Sequence, residues 1–414
     1  MNVESCCLCE STNLKRVVTL GDTGLANNLE TTQDDSKDAK KYPLDLLICE
    51  DCHHVQLGEE VDPKILFSNY RYETGISQYF RTHFHHYAQD VLDKLSDEIT
   101  GRKSVVDVGS NDCSLLDAFK DLGFKTIGVE PATNLVEKYK DTHDLINSFL
   151  TSSVAKDIVE KYGQTDVVTA NNVFAHNRNL RSFVESVKIL LKDEGLFFIE
   201  VQYLHNLIEN GYFDMIYHEH TSYHHIKPLH LMMNDLGMKL VDAKNVSTHG
   251  GSIRLVFQKT DQDRVCDNEL IRQDNIFDQD IRSSLKTLNT SIDSFKIEFE
   301  NAINNLKNDY ECIYGYAAPA KVVTLLSVFD EDITNNIDFI IDDSKLKQGK
   351  FLPGYGIQVI GTDQAVERLK NKRSVCIIFA WNVAKDIRKK ISSSDLNPDI
   401  IVVPLPKLEI INGL

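Results

Sequence analysis

Residues 104–122, Ser104 to Leu122, read SVVDVGSNDCSLLDAFKDL. Ser104–Val108 is a short apolar strand that ends in Asp107-Val108-Gly109-Ser110-Asn111-Asp112, and Ser114–Leu122 reads as a helix. A small, flexible Gly109 at a strand-to-helix turn lets a ligand approach the backbone. The next strand, Thr126–Val129, ends in Glu130. That acid lies roughly 20 residues past the turn, the spacing expected of a carboxylate that binds the two hydroxyls of a ribose. Asp166–Ala170 follows as a third strand, Phe183–Leu191 as a helix and Leu196–Val201 as a fourth strand. Strands alternating with helices predict an α/β fold, a parallel sheet and a ligand at its carboxyl edge.

The turn narrows the ligand. A dinucleotide site would show Gly-x-Gly-x-x-Gly, which is absent here. Acidic and amide groups follow Gly109 instead of a phosphate cradle. A cofactor with an adenosine but no phosphate fits better, and S-adenosylmethionine is one. Asp107 or Asp112 would meet its ammonium or sulfonium end and Glu130 its ribose. The third strand runs into Asn171-Asn172-Val173-Phe174-Ala175-His176. Asn171 and His176 are thereby placed at the same edge.

Composition bounds the rest. A chain of 414 residues predicts two or three domains. Hydrophobic content of 42% and charged content of 26% are those of a soluble globular protein. A net charge of −17 argues against nucleic acid or an acidic membrane surface as partner. No run reaches the roughly 18 apolar residues of a membrane span. The start, MNVESCCLCE, has neither a basic nor an apolar region, so no signal peptide is expected. The cytoplasm, with its reduced thiols, is the expected compartment.

Cys6-x-x-Cys9 and Cys49-x-x-Cys52 then predict a closed four-thiolate zinc site with a structural role. Cys7 is a spare. The long gap between the pairs requires a small domain, with Thr31–Lys41 as its solvated loop. Tyr70 and Tyr72 alternate on an extended segment. A helix over Tyr79–Leu95 carries His83, His85 and His86, read as mostly solvated.

The densest polar stretch is Tyr212–His225, YFDMIYHEHTSYHH. Tyr217-His218-Glu219-His220 puts two imidazoles, a carboxylate and a phenol into four residues. Few cores tolerate that, because every buried polar group needs a partner. An active site has a use for a proton acceptor, a group that orients it and an oxyanion donor. Further on, Gly250-Gly251-Ser252 turns into the strand Ile253–Phe257, paired with Lys239–Val241. Asp261–Asn308 reads as one or two linker helices. Strands at Cys312–Tyr316, Ile337–Ile341, Val375–Ala380 and Ile400–Val403 form a second α/β unit. Its small-residue turn ending in Lys321 suits a phosphate or simply packs.

Together these motifs resemble the S-adenosylmethionine-dependent C-methyltransferases of nucleotide-linked deoxysugars in antibiotic and surface-polysaccharide pathways. The resemblance spans essentially the whole chain. It rests on the two cysteine pairs, Tyr42-Pro43-Leu44, Val55-Gln56-Leu57, Tyr70-x-Tyr72-x-Thr74-Gly75-x-Ser77 and Gly109-Ser110-Asn111-Asp112. Glu130-Pro131-Ala132, Ala175-His176, Tyr217–His220, Gly250-Gly251-Ser252 and Ala318-Pro319-Ala320-Lys321 complete it. The resemblance implies three parts: a zinc-binding domain (1–75), a central Rossmann-like methyltransferase domain (76–260) and a C-terminal Rossmann-like domain (261–414). It implies His220 as base, with Tyr217, Glu219, His176 and a tyrosine of the Tyr-x-Tyr segment, taken as Tyr72, around it. The substrate would be a nucleotide-linked keto-sugar, with the protein a monomer or weak homo-oligomer. Two departures stand out: Cys113 and Ala317 occupy positions where the family has glycine. The competing readings are a sugar O-methyltransferase, a non-catalytic binding protein of the same fold, and a metal hydrolase using His218, His220 and His224.

Overall fold

A computed structural model describes residues 2–67, 78–95, 101–262 and 266–413. The chain forms strands β1 (Leu14–Thr23), β2 (Tyr42–Cys49), β3 (Val55–Leu57), β4 (Ser104–Val108), β5 (Lys125–Val129) and β6 (Asp144–Ile146). These are followed by β7 (Thr165–Asn171), β8 (Leu191–Gln202), β9 (Ser222–Tyr223), β10 (Met238–Val246) and β11 (Ser252–Lys259). The strands make a four-stranded sheet, order β1-β2-β3-β9, and a seven-stranded sheet, order β10-β11-β8-β7-β4-β5-β6. A third, six-stranded sheet is built from β12 (Cys312–Tyr316), β13 (Ile340–Ile341), β14 (Val359–Ile360), β15 (Ser374–Ile378), β16 (Ile400–Val403) and β17 (Glu409–Asn412).

The central sheet is parallel from β8 to β6, and antiparallel where β11 and β10 close its edge. It is therefore mixed, not wholly parallel as the alternation predicts. A further strand, β6, and the helices Thr133–Tyr139 and Ser152–Tyr162 lie between the expected second and third strands. Strand alternation explains why its strands are so apolar. Val105, Val167, Phe198 and Val256 pack on one face against Tyr87, Val91 and Phe119. Val106, Val168, Phe197 and Ile199 pack on the other against Phe183, Val184 and Val187. A sheet buried on both faces needs apolar residues at successive positions.

Two expectations are amended here, for physical reasons. The stretch read as one or two linker helices does hold two, Glu269–Gln279 and Ile281–Asp309, but the long one is a core element rather than a linker. Helix Ile281–Asp309 buries Ile281, Leu285, Leu288, Ile292, Phe295, Phe299 and Ile303. That spacing of three and four residues is one helix face, and it shares a core with Val18, Leu46 and Ile48 of the first sheet and Tyr314 of the third. Thr31–Lys41 is largely exposed, as expected of a solvated segment, but it is not all loop. A short helix, Gln33–Lys37, is capped by Thr32 and buries Ser36. The Ser36 hydroxyl donates to Leu352 O (2.5 Å) and accepts from Gly356 N–H (3.1 Å), docking this segment on the third sheet's domain. No described helix is long and apolar enough to cross a membrane.

Candidate active site

At the N-terminus, Cys6, Cys9, Cys49 and Cys52 place their sulfurs within 4.8 Å of one another. Two of those distances are 3.6 Å (Cys6–Cys52) and 3.5 Å (Cys9–Cys49). Four thiolates around one zinc stand about 3.8 Å apart, so this donor set fits that ion. Both knuckles close alike. Glu10 N–H donates to Cys6 O (2.9 Å) and His53 N–H to Cys49 O (2.8 Å). Glu10 and His53 are both left-handed, at φ 63° and 65°. Cys7 turns away, with its sulfur 3.3 Å from Ser222 Oγ.

At the carboxyl edge of the central sheet, Glu130 is held by two backbone donors, Asn111 N–H and Ala132 N–H, each at 2.8 Å. Burial pushes its carboxyl up against those bonds. Each carboxylate oxygen keeps a lone pair for a ribose hydroxyl. Asp107 is buried under the turn, accepts from Thr169 Oγ1 (2.6 Å), and is pushed up to about 7 by that burial. Asp112 Oδ1 accepts from Ser114 N–H and Oγ–H at the start of the following helix. Asn171, at the end of β7, turns its amide towards the Tyr87 hydroxyl, with no other close hydrogen-bond partner among the described residues. The Asn171 amide and the fixed Glu130 carboxylate, on either side of the β4 turn, suit S-adenosylmethionine.

The φ of Gly109 is +71°, and a Cβ there would lie 2.2 Å from Val173 Cγ2. Val173 from the β7 turn fills the space on the side where a Cβ would stand. Cys113 is buried in a left-handed conformation, φ 63°, which explains why glycine suits this position.

The Tyr217–His220 stretch is a β-turn closed by His220 N–H to Tyr217 O at 2.9 Å. Such a turn brings its first and last residues together. The Tyr217 and His220 rings stand 4.2 Å apart by centroids, with His176 5.1 Å from His220. His220 Nδ1 lies 3.0 Å from Met215 O. A carbonyl only accepts, so Nδ1 carries a hydrogen, and in the neutral ring the lone pair is then on Nε2.

The corner residues of the turn face outwards. His218 Nε2 donates to Pro43 O (3.1 Å), and burial pushes this ring's pKa down. Glu219 Oε1 accepts from Asn27 Nδ2 at 2.5 Å. Met215 O holds the His220 ring, and Glu219 also ties the turn to the first sheet's domain through Asn27. Nor do His218, His220 and His224 converge on a metal. His224 stacks on His54 (5.4 Å), and among the described residues the four cysteines form the only metal-binding cluster. Tyr72 lies outside the described residues.

The whole segment is clamped. After the turn, β9 pairs with β3, Val55 opposite Tyr223, so it becomes the fourth strand of the cysteine-bearing sheet. Thr221 Oγ1 donates to Ala175 O (3.0 Å), beside His176. From the C-terminal domain, Thr324 Oγ1 donates to Ile216 O (2.6 Å). Trp381 Nε1 donates to buried Asp214 (2.6 Å). Lys321 is no phosphate arm: it is buried 3.9 Å from Asp214, donates to Asn382 Oδ1 (2.9 Å), and burial pushes it down to about 8.

Sequence reading missed a charged network at the end of β8. Glu200 Oε2 accepts from Arg254 Nε (2.9 Å) and Nη2 (2.8 Å). Its Oε1 meets His83 Nε2 (2.8 Å) and Thr248 Oγ1 (3.0 Å). Arg254 also reaches Asp90 (2.6 Å) and covers the Tyr87 ring. His83 is therefore engaged with the sheet, not solvated as expected; His85 and His86 are exposed. The available signal was a lone charge in each of two apolar strands, LFFIEVQ and SIRLVF.

Burial pushes Glu200 up, but the His83 hydrogen bond and Arg254 charge outweigh it and bring it down to about 2. A depressed carboxylate stabilises the fold above its ordinary pKa near 4.5, and that contribution is lost as pH falls towards 2. Arg254→Met should destabilise the protein by about 3–5 kcal/mol, because it strands a buried carboxylate. Urea unfolding at pH 7 and pH 4 checks both points: the variant should lose part of the wild type's decline with acid. Equal stability of the two proteins would refute the assignment.

Residues 6–67 match the family described as a zinc binding domain, residues 80–243 that of a methyltransferase domain, and residues 247–406 that of a C-methyltransferase C-terminal domain. The chain is 28% identical over 415 residues to the C-methyltransferase NovU of Streptomyces niveus, covering 99% of this chain and 97% of that protein. Among solved structures, a SAM dependent methyltransferase from Archaeoglobus fulgidus is 16% identical, covering 44% of this chain and 100% of its own, at a TM-score of 0.35. Magnesium protoporphyrin IX methyltransferase of Synechocystis PCC 6803, with bound SAM, is 13% identical, covering 44% of this chain and 79% of its own, at a TM-score of 0.32.

Proposed function

From the premise that the chain belongs to the S-adenosylmethionine-dependent C-methyltransferases with an N-terminal zinc-binding domain, we propose that it methylates a carbon next to the ketone of a nucleotide-linked deoxysugar. A carbon is a poor nucleophile until it carries negative charge, and a C–H beside a ketone is acidic because that charge moves onto oxygen. S-adenosylmethionine, when bound, supplies the electrophilic methyl group. Glu130 and Asn171, with the β4 turn, would hold it. His220 takes the proton at Nε2. The ring is fixed for that task by its Nδ1–H bond to Met215 O, the single observation that carries this reading. Tyr217 or His176, each packed on the His220 ring, donates to the enolate oxygen.

The test is a panel of keto-sugar nucleotides with labelled cofactor, read by mass spectrometry and by NMR of the product. A methyl bonded to a ring carbon is expected. A methyl on oxygen would replace this reading with sugar O-methylation, and no transfer to any keto-sugar would remove it.

A further inference from the structure

Strand β8 ends Glu200-Val201-Gln202. Alternation puts Glu200 and Gln202 on one face of the sheet. Glu200 is fully engaged with Arg254, His83 and Thr248. Gln202 is 8% exposed, and neither its Nε2 nor its Oε1 has a hydrogen-bond partner among the described residues. Its cross-strand neighbour Ser252 has already donated its hydroxyl to Thr248 O (3.0 Å).

The position of this amide is informative. The next residue, Tyr203, bridges to His224, and Leu204 N–H donates to His224 O at 2.9 Å. Gln202 therefore lies where the central sheet meets the segment that carries His220. On the neighbouring strand, Asn171 is in register with Glu200. Asn171 and Gln202 thus sit diagonally, roughly 8 Å apart by strand spacing and rise. A buried polar group without a partner is destabilising, so an amide with both ends open calls for a ligand. A ketone or carboxylate would satisfy only its N–H, and an ammonium only its carbonyl. A hydroxyl accepts and donates, and satisfies both.

We propose that Gln202 binds a ring hydroxyl of the sugar and selects substrates that carry it. The proposal rests on the keto-sugar reading above and adds a recognition residue to it. The test is calorimetry on the full-length protein with S-adenosylhomocysteine present. The titrants are pairs of keto-sugar nucleotides that differ by one ring hydroxyl. Wild type should bind the hydroxyl-bearing member of one pair about tenfold or more tightly. In Gln202→Leu that preference should shrink to about twofold or less, with affinity for the deoxy partner retained. Cofactor affinity reports folding; if Gln202→Leu loses it, Gln202→Met, closer in shape, takes its place.

Absence of a hydroxyl preference in wild type overturns the proposal, as does an equal loss for both members of a pair in the variant. Either result would leave the amide holding only a buried water. Discrimination without methyl transfer would refute the enolate chemistry and leave the Gln202 assignment standing. Binding of none of the panel would overturn both.

Discussion

His220→Ala should retain S-adenosylmethionine binding and lower kcat by about 10²–10⁴-fold, the usual contribution of a positioned general base. The cofactor candidates, Glu130 and Asn171, stand on other elements, so calorimetry with the cofactor should give an affinity near that of wild type. The ring itself packs on Tyr217, His176 and Tyr223. Its loss leaves a gap in the site rather than in a hydrophobic core. A second readout separates proton removal from methyl transfer. In deuterated water with S-adenosylhomocysteine in place of the methyl donor, wild type should wash deuterium into the substrate carbon, and His220→Ala should not. Exchange at the wild-type rate in the variant would pass the base role to another group. His176→Phe, tested alongside, should slow turnover less than His220→Ala.

Cys49→Ser should release the zinc and, with it, the active turn. Structural zinc contributes about 10–16 kcal/mol of apparent binding energy in small domains, more than the short strands β2 and β3 supply alone. The connection to catalysis is direct: Cys49 ends β2, β2 pairs with β3, and β3 pairs with β9. Leu57 N–H donates to Thr221 O (3.0 Å), and Pro43 and Asn27 hold His218 and Glu219. Displacing a base by even 1 Å can cost about 10²-fold, so turnover should fall at least that far. Mass spectrometry of amide exchange should show residues 42–57 and 217–225 opening together while β4 and β7 stay protected. Metal-free protein with wild-type turnover would show that the cysteine domain does not position the turn.

What the sequence revealed, and what it hid, follows the range of the interactions. The two cysteine pairs were legible because each knuckle is set by four consecutive residues. Strand β4, its turn and Glu130 were legible because a βαβ unit is local. The His83–Glu200–Arg254 network was not. It joins a helix to a strand 117 residues on and pairs strands 54 residues apart. The helix Glu269–Gln279 and the long helix after it read as polar, and only the spacing from Ile281 to Ile303 shows the buried face. The Glu219–Asn27 hydrogen bond was hidden because it joins residues 192 positions apart. In a β-turn the end residues meet and the middle ones diverge. The packing of Val173 on Gly109 was likewise hidden, because it joins two turns far apart in the chain.

The two-residue strand β9 also limits how such a protein can be recombined. Its first sheet is discontinuous in the chain: three strands come from residues 14–57 and the fourth from residues 222–223. A chimaera that exchanges only the cysteine-bearing segment with a relative would mate foreign edges across that seam. Grafts meant to retarget the enzyme must therefore move both pieces as one cassette, or leave both in place.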